Sequence, residues 1–291
     1  MKRNHWVGLV ISGLLMASMV AGCGTTTKPS TTPSTTKPDS NANASTNTLS
    51  GQLTAMGSTA LQPLVAEAAK EFEAKYPKVT VQVSGGGSFS GLSQAEAGSV
   101  DIGDSDVFAT SNMTDLVDHQ VAIVPFVLAV NPDVTAANVT QQQAKDIFTG
   151  KIKNWKDIGG KNEPIVIINR PKSSGTRATI QKIVLGGANY ATGMDVQDST
   201  GAVKTAIANT KGAIGAIGGA YVDSSVKALS YEGVAFTATN AKNGTYKIVS
   251  PEHMYTKGQP TKLGQAFLDF ILSKDFQGNA VPQLKFVTIN K

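Results

Sequence analysis

The sequence predicts an α/β fold with a largely parallel sheet. Short apolar runs typical of buried strands alternate with runs whose apolar residues follow helical spacing. Three strand-to-helix turns are rich in glycine, serine and threonine, at residues 57–59, 84–88 and 169–176. Strand–helix alternation is typical of sheets covered by helices, and ligands of such folds bind at the carboxyl ends of the strands. These turns are therefore the first candidates for a functional site.

The first two turns follow predicted strands at 52–56 and 80–83. After the first strand, apolar residues at helical spacing predict a helix, and Ser58 or Thr59 is placed to cap it. The second turn also leads into a predicted helix. A further strand at 100–106 ends in acidic turn residues.

The middle of the chain contains the longest apolar run. Residues 121–130 predict a buried strand that crosses between two lobes, although Pro125 interrupts the run. Residues 141–148 predict a short helix. An apolar run at 164–168 predicts a strand, and the amphipathic run at 176–185 predicts the helix after it.

The last third of the chain predicts five further elements. Residues 200–208 read as a helix, and the glycine-rich apolar run at 212–219 reads as a buried strand. Polar residues at 237–245 predict a loop or hairpin. An amphipathic helix is expected at 263–271, and a last short strand at 285–289.

The stretch at 168–177 has the composition of an anion site. Unpaired backbone N–H groups lie at the positive end of a helix at its first turn. Arg170 and several small hydroxyl residues stand beside that turn, and together such donors suit a tetrahedral oxyanion. An ordinary helix N-cap has a similar composition. For this stretch alone, both interpretations remain open.

The N-terminus predicts a lipid-anchored protein. Residues 1–22 are predicted to be a secretory signal peptide, because Lys2 and Arg3 precede an apolar run that is followed by small residues. The apolar run is shorter than the roughly 20 residues that a membrane span needs. Cys23, the one cysteine, follows Val-Ala-Gly and resembles the bacterial lipobox. That resemblance implies cleavage before Cys23 and attachment of lipid, palmitate included. Residues 23–50 would then be the anchor and a disordered linker rich in Thr, Ser, Pro and Asn.

Composition excludes several classes of function. Loss of the two basic residues of the signal peptide reduces the formal net charge from +5 to +3, and no long basic run remains, so nucleic acid is not an expected partner. The histidines and the single cysteine show no metal-ligand spacing, and no cofactor is expected. A hydrophobic content of 41% is typical of a globular protein with a core.

Several motifs together resemble the phosphate-binding lipoproteins of bacterial ABC importers. The matching pieces are Gly57-Ser58-Thr59-Ala60, Gly87-Ser88, Asp101-Ile102-Gly103-Asp104-Ser105-Asp106, Ile147-Phe148-Thr149-Gly150 with Trp155, Arg170 with Ser174-Gly175-Thr176, and Ala213-Ile214-Gly215. The similarity covers residues 51–291 in the order that the family has. Matches of this number are far more specific than any one of them alone.

The resemblance implies a two-lobe periplasmic-binding-protein-like fold of type II, in which two crossover strands form a hinge. One lobe would comprise residues 51–130 and 246–291, and the other residues 131–245. The crossovers would lie near 121–130 and 235–249. The implied function is capture of inorganic phosphate outside the membrane and its delivery to an ABC permease and ATPase, by a monomer held on the outer face of a Gram-positive type of cell envelope.

The resemblance also implies which residues bind the ligand. Backbone N–H groups and hydroxyls at two helix starts, one further hydroxyl, one guanidinium and one carboxylate would surround the phosphate. These residues are Ser58, Thr59, Ala60, Ser88, Asp106, Arg170, Ser174, Gly175 and Thr176. Lys172 stands where some relatives have an acid that pairs with the ligand arginine, and Phe89 interrupts the serine-glycine pattern of others.

Asp106 is the informative member of this set, because a carboxylate should repel an anion. Its presence makes sense if the ligand has a proton to donate, as hydrogen phosphate does and sulfate at neutral pH does not. A mismatch of this kind at a polar site can give roughly 10⁴–10⁵ discrimination. Asp104 is the rival candidate for this acceptor, and Asp101 is expected to be structural.

Three alternatives remain beside this interpretation. A hydrolase would need Ser88 or Ser174 as nucleophile, but neither lies in a Gly-x-Ser-x-Gly turn, and His119 and His253 lie in polar contexts expected to be solvated. Sulfate, molybdate or another oxyanion could use the same helix starts. A surface adhesion or sensor protein could reuse the fold, since fold does not fix function. No enzymatic activity is expected.

Overall fold

The computed structural model describes residues 49–289 and shows a two-lobe α/β fold built on a mixed sheet. The strands, in chain order, are β1 Gly51–Gly57, β2 Val79–Ser84, β3 Ile102–Ser105, β4 Leu116–Val130, β5 Asn138–Val139, β6 Val166–Asn169, β7 Asp195–Val196, β8 Ala213–Gly218, β9 Lys227–Ala228, β10 Ser230–Tyr231 and β11 Val249–Lys257.

The helices cover the faces of this sheet. In chain order they are α1 Gln62–Lys75, α2 Ser88–Ala97, α3 Gln141–Phe148, α4 Gly175–Ile183, α5 Thr200–Asn209, α6 Ala238–Lys242, α7 Lys262–Ile271, α8 Lys274–Gly278 and α9 Ala280–Gln283. Short 3-10 turns occupy Trp155–Ile158 and Gly219–Tyr221.

The strand order is β2-β1-β3-β11-β4-β8-β6-β7, and β9 pairs with β4. On one flank β1 is parallel to β2 and β3, and on the other β6 is parallel to β7 and β8. In the centre, β11 is antiparallel to β3 and β4, and β4 is antiparallel to β8. The expectation of a largely parallel sheet is therefore right for the flanks and wrong for the centre.

The strand β4 joins the two flanks. Its first part, residues 116–125, pairs with β11, and its last part, residues 126–130, pairs with β8. Pro125 has no N–H to donate, and it lies at this change of partner without ending the strand. The crossover predicted at 121–130 is thus the last ten residues of a 15-residue strand, and this part is almost entirely buried.

Apolar side chains hold the helices against the sheet. Phe72 of α1 contacts Phe267 and Phe270 of α7, with ring centroids 5.3 and 5.5 Å apart, in edge-to-face arrangements. On the other flank, Val203 and Ile207 of α5 pack in a second cluster with residues of β6 and β8. All three helices have the helical spacing that places these apolar residues on one face.

Three further sequence predictions need correction. The second crossover strand, expected near 235–249, is not a strand over that range, because α6 lies within it and β11 begins only at Val249. Residues 237–245 contain the short helix α6 rather than only a loop or hairpin, because Thr237 accepts a hydrogen bond from the Asn240 N–H and caps a helical turn. Residues 285–289 form no strand, and Val287 makes a single bridge to Ile123. The predicted signal peptide, Cys23 and all but the end of the linker lie outside the described residues.

Candidate anion-binding site

The residues predicted to bind the ligand lie together at the ends of β1, β3 and β6 and at the starts of α2 and α4. All of them are buried. They are Ser58, Thr59, Ala60, Ser88, Asp106, Arg170, Ser174, Gly175 and Thr176. Side chains that approach from both flanks of the sheet therefore meet in a region shielded from solvent.

The turn after β1 brings backbone N–H groups to this region. Gly57 has φ +147°, and a Cβ there would lie 2.1 Å from the Asp104 carbonyl oxygen, so only glycine fits the close approach of β1 to β3. The Ser58 hydroxyl oxygen accepts from the N–H groups of Ala60 and Leu61, both at 3.1 Å. Ser58 therefore caps the turn that leads into α1. The helix itself has Leu61 at its N-cap position and no side-chain cap, so the expected capping of α1 by Ser58 or Thr59 is wrong.

The starts of α2 and α4 lie against each other. Ser174 is the N-cap of α4, since its hydroxyl oxygen accepts from the Arg177 N–H at 3.2 Å. A Cβ on Gly175 would lie 2.3 Å from Ser88 Oγ, so the two helices approach this closely only because residue 175 is glycine. The Ser88 hydroxyl oxygen accepts from the Asp106 N–H at 3.0 Å. Two positive helix ends thus converge beside Asp106.

Asp106 is at the centre of the hydrogen bonds. Ser58 Oγ donates to its Oδ1, and Thr176 Oγ1 donates to its Oδ2 at 2.9 Å. Burial raises the pKa of Asp106, while the hydrogen bonds from Ser58 and Thr176 and the charge of Arg170 act to lower it. The carboxyl group is therefore held by hydroxyl donors from both flanks of the sheet.

Arg170 follows β6 and is held by groups that the sequence did not indicate. Its Nη1 donates to Thr200 Oγ1 at 3.2 Å, and its Nη2 donates to the Asp198 carbonyl oxygen at 3.0 Å. Its Nε is buried without a hydrogen-bond partner. Thr200 is in turn bonded to Thr59, because the Thr200 N–H donates to Thr59 Oγ1 at 3.0 Å. Lys172 is exposed and takes no part in holding the guanidinium.

Sequence reasoning also missed three other residues near the site. Ser250 Oγ donates to the Asp106 carbonyl oxygen at 2.8 Å, and Tyr221 Oη donates to the Thr59 carbonyl oxygen at 2.7 Å. Glu252 is fully buried beside Asp106. A hydroxyl at a helix start is a usable signal for Thr200. Ser250 and Glu252 lie within a strand, where nothing in the sequence separates them from ordinary strand residues.

The neighbouring aspartates differ in their surroundings. Asp101 accepts from both the N–H and the hydroxyl of Thr54 at 2.8 Å, in agreement with a structural role. Asp104 is buried, and neither of its carboxyl oxygens has a hydrogen-bond partner. Burial, with the nearby charge of Asp106, raises the pKa of Asp104 to about 8. Asp104 is thus close to the site but lacks the hydroxyl donors that surround Asp106.

The hydrolase alternative lacks a paired nucleophile. The hydroxyl oxygens of Ser88 and Ser174 accept from backbone N–H groups. His253 was expected to be solvated but is buried, and its Nδ1 lies 2.8 Å from Asp118 Oδ1. The Nε2 atom of His119 lies 3.0 Å from Thr256 Oγ1. Within residues 49–289, no group of three or more His, Cys, Asp or Glu side chains is placed to hold a metal ion.

Comparison with known proteins bears on the fold and the class of the chain. The family model of the PBP superfamily domain matches residues 42–275. The phosphate-binding protein PstS of Bacillus subtilis (strain 168) is 47% identical over 245 residues, which cover 82% of this chain and 81% of the relative.

Solved structures show the same similarity. A protein from Clostridium perfringens, described as a phosphate ABC transporter substrate-binding protein with bound phosphate, has a TM-score of 0.79 and 31% identity. The match covers 82% of this chain and 100% of that chain. An ABC-type phosphate transport receptor from Vibrio cholerae has a TM-score of 0.67 and 26% identity, covering 81% of this chain and 100% of that chain.

The fold and the buried site define a two-lobe solute-binding protein of the periplasmic-binding-protein class. Within that class, the chain belongs to the family of PstS phosphate-binding proteins. The resemblance and the two-lobe fold expected from the sequence are thereby confirmed. Proteins of this family are extracytoplasmic solute-binding proteins rather than enzymes. No helix among residues 49–289 is both long enough and apolar enough to cross a membrane.

Proposed function

We propose that this protein captures inorganic phosphate at the buried site around Asp106 and delivers it to an ABC importer. The observation that carries the proposal is the set of donors that converge there. Two helix starts, the hydroxyl groups of Ser58, Ser88 and Thr176, and a guanidinium surround one buried carboxyl group. A tetrahedral oxyanion with a proton of its own uses both the donors and the acceptor.

Each candidate residue has a role in this proposal. Backbone N–H groups of Thr59, Ala60, Gly175 and Thr176 would bind phosphate oxygens, together with the hydroxyls of Ser58, Thr59, Ser88, Ser174 and Thr176. The guanidinium of Arg170 would contribute paired donors, and its buried, unpartnered Nε supports this role. The hydroxyls that now bond to Asp106 would turn toward the ligand when it binds.

Asp106 would select phosphate over sulfate. Its carboxylate accepts a hydrogen bond from a protonated phosphate oxygen, whereas sulfate at neutral pH has no proton to donate and would face a buried negative charge. Burial of both groups makes such a mismatch costly. Another oxyanion, such as sulfate or molybdate, remains the second candidate ligand, because the helix starts alone do not distinguish among these anions.

The proposal extends to the cell envelope. Cys23 would be the lipidated residue after removal of residues 1–22, and residues 23–50 would link it to the folded part. The protein would act as a monomer on the outer face of a Gram-positive type of envelope. The lobes would comprise residues 51–130 with 246–291, and residues 131–245, and would close over phosphate about the strands that connect them.

Calorimetric titration tests the proposal. The purified protein and its Asp106→Asn variant are each titrated with phosphate, sulfate and molybdate. The variant Asp157→Asn, at an exposed aspartate, is the matched control. We expect phosphate alone to bind the parent and the control, and discrimination against sulfate to weaken in Asp106→Asn. Sulfate or molybdate binding as tightly as phosphate would reassign the ligand. Absence of binding by all three would favour an adhesion or sensor role.

A further inference from the structure

Glu252 is a buried carboxyl group that the roles assigned above leave unexplained. Its side chain is fully buried, and neither carboxyl oxygen makes a hydrogen bond of standard geometry. Met254 of β11 lies directly opposite Asp104 of β3. The register between β11 and β4 shifts between Glu252 and His253, so the alternation of side chains along β11 does not by itself fix the face of Glu252. Glu252 does lie close enough to Asp104 and Asp106 to interact with both electrostatically. Ser250, two residues earlier, donates to the Asp106 carbonyl oxygen.

The buried charges near the site do not balance if every carboxyl group is ionised. Asp104, Asp106 and Glu252 are each at most 1% exposed, and Arg170 is the cation that acts on Asp106. Like charges held close together in a buried site cannot all ionise, so protons must remain on some of these groups. The question is which of them hold the protons.

The environment assigns the protons to Glu252 and Asp104. Burial, with the charges of Asp106 and Asp104, raises the pKa of Glu252 well above its ordinary value. The interaction between the carboxyl groups of Glu252 and Asp106 raises the pKa of Glu252 and lowers that of Asp106. Two hydroxyl donors and the charge of Arg170 also stabilise the ionised form of Asp106, whereas the carboxyl groups of Asp104 and Glu252 accept no hydrogen bond. Asp106 is therefore the group that ionises first.

The other titratable groups near this cluster of carboxyl groups do not change the assignment. Tyr221 interacts electrostatically with Asp106 and Arg170, and burial raises its pKa to about 12, so it stays neutral. The next residue of β11, His253, meets Asp118 of β4. The helix α2, which packs against β11, has one titratable residue, Glu96, near its far end.

We propose that Glu252 is a proton-holding positioning residue for Asp106, and that phosphate binding requires Glu252 and Asp104 to remain protonated. The inference rests on the proposed phosphate function. The Glu252 carboxyl group keeps its proton and adds no negative charge beside Asp106, so Asp106 remains the ionised group that accepts the proton of a phosphate oxygen. Ionisation of Glu252 or Asp104 would place an additional buried negative charge beside the bound anion.

The expected consequence is a loss of phosphate affinity at alkaline pH beyond that caused by the ionisation of phosphate itself. When a bound state requires a proton that the free protein has released, the association constant falls about tenfold per pH unit above the pKa of the free group. Since the pKa of Asp104 is about 8, this additional loss should begin near pH 8.

The experiment compares phosphate association constants of the parent and of Glu252→Gln, Asp104→Asn and the double variant at pH 6, 7, 8 and 9. Glutamine and asparagine keep the shape and cannot ionise. Glu71→Gln, on the exposed surface of α1, is the matched control. The ratio of variant to parent removes the ionisation of phosphate from the comparison. We expect this ratio to be constant between pH 6 and 7 and to rise about tenfold by pH 9 in the double variant.

A parent-only measurement covers the case in which a variant fails to fold. Calorimetry at pH 8.5 in two buffers of different ionisation enthalpy should show net uptake of protons when phosphate binds. A variant-to-parent ratio that does not change with pH, or binding of phosphate without proton uptake, would overturn the inference and leave the proposed function intact. Failure of the parent to bind phosphate at every pH would overturn the proposed function instead.

Discussion

The hydroxyl of Thr176 donates a 2.9 Å hydrogen bond to Asp106 Oδ2 and so joins the two flanks of the sheet. Asp106 follows β3 on one side of β4, and Thr176 lies in the first turn of α4, which follows β6 on the other side. Ser58 donates to the other oxygen of the same carboxyl group. Asp106 is thus bonded to donors from both flanks, which are the donors a bound anion would also use.

Replacement of Thr176 by valine should weaken both folding and binding. Valine has nearly the same shape but leaves Asp106 Oδ2 without its donor in a buried site, which costs about 1–3 kcal/mol of unfolding free energy. Phosphate affinity should fall about tenfold, which corresponds to one lost hydrogen bond of about 1.4 kcal/mol. Urea unfolding and calorimetric titration measure the two effects.

Thr176→Ser is the matched control, since serine keeps the hydroxyl and loses only a methyl group. It should bind phosphate as the parent does, to within about threefold. Equal affinities for the valine and serine variants would show that the Thr176 hydroxyl does not contribute to the site.

Replacement of Gly175 by alanine should separate the two helix starts. The added Cβ would lie 2.3 Å from Ser88 Oγ and 2.9 Å from Asp106 Cβ, so α4 or α2 must move. Displacement of several donors at once should lower phosphate affinity by at least about tenfold. Gly278→Ala, where the new Cβ meets nothing within 4 Å, is the control and should bind normally. Tight binding by Gly175→Ala would contradict a ligand site at the start of α4.

Replacement of Arg170 by lysine should not be conservative. The guanidinium already bonds to Thr200 Oγ1 and to the Asp198 carbonyl oxygen through separate nitrogens, and its Nε remains for a further partner. A single ammonium group cannot reproduce this fork, so phosphate affinity should fall by about 2–3 kcal/mol. Lys172→Ala, at an exposed position two residues away, should change the affinity little. A comparable loss in both variants would indicate a general charge effect rather than a specific contact.

The sequence predicted the turns that meet in this region because their chemistry is local. Glycine, small hydroxyls and a helix start within a few residues are sufficient to place Ser58, Ser88 and Ser174, and the structure brings all three to one buried region. The family resemblance added the order of these turns along the chain, which no single turn contains.

The parts that sequence reasoning missed depend on contacts between distant segments. Thr200 holds both Thr59, 141 residues earlier, and Arg170. Glu252 reaches the site through the antiparallel pairing of β11 with β3, and the expectation of a largely parallel sheet gave no reason to place β11 there. An isolated glutamate in a strand has no local pattern that distinguishes a buried carboxyl group from an exposed one.

Asp104→Asn should make the protein less sensitive to alkaline pH. The pKa of Asp104 is raised to about 8 in the folded protein, against about 4 in an unfolded chain. The folded state therefore holds a proton that the unfolded state releases, and the unfolding free energy of the parent falls as pH rises from about 4 through about 8. This group contributes a slope of at most about 1.4 kcal/mol per pH unit in that range. Asparagine keeps the shape and does not titrate, so the unfolding free energy of the variant should fall less steeply with pH, while Glu252 preserves part of the slope.

Urea unfolding of parent and variant at pH 5, 7 and 9, without phosphate, measures the difference. Stability should favour the variant increasingly toward pH 9, and parallel curves would show that Asp104 is already ionised in the folded protein at neutral pH.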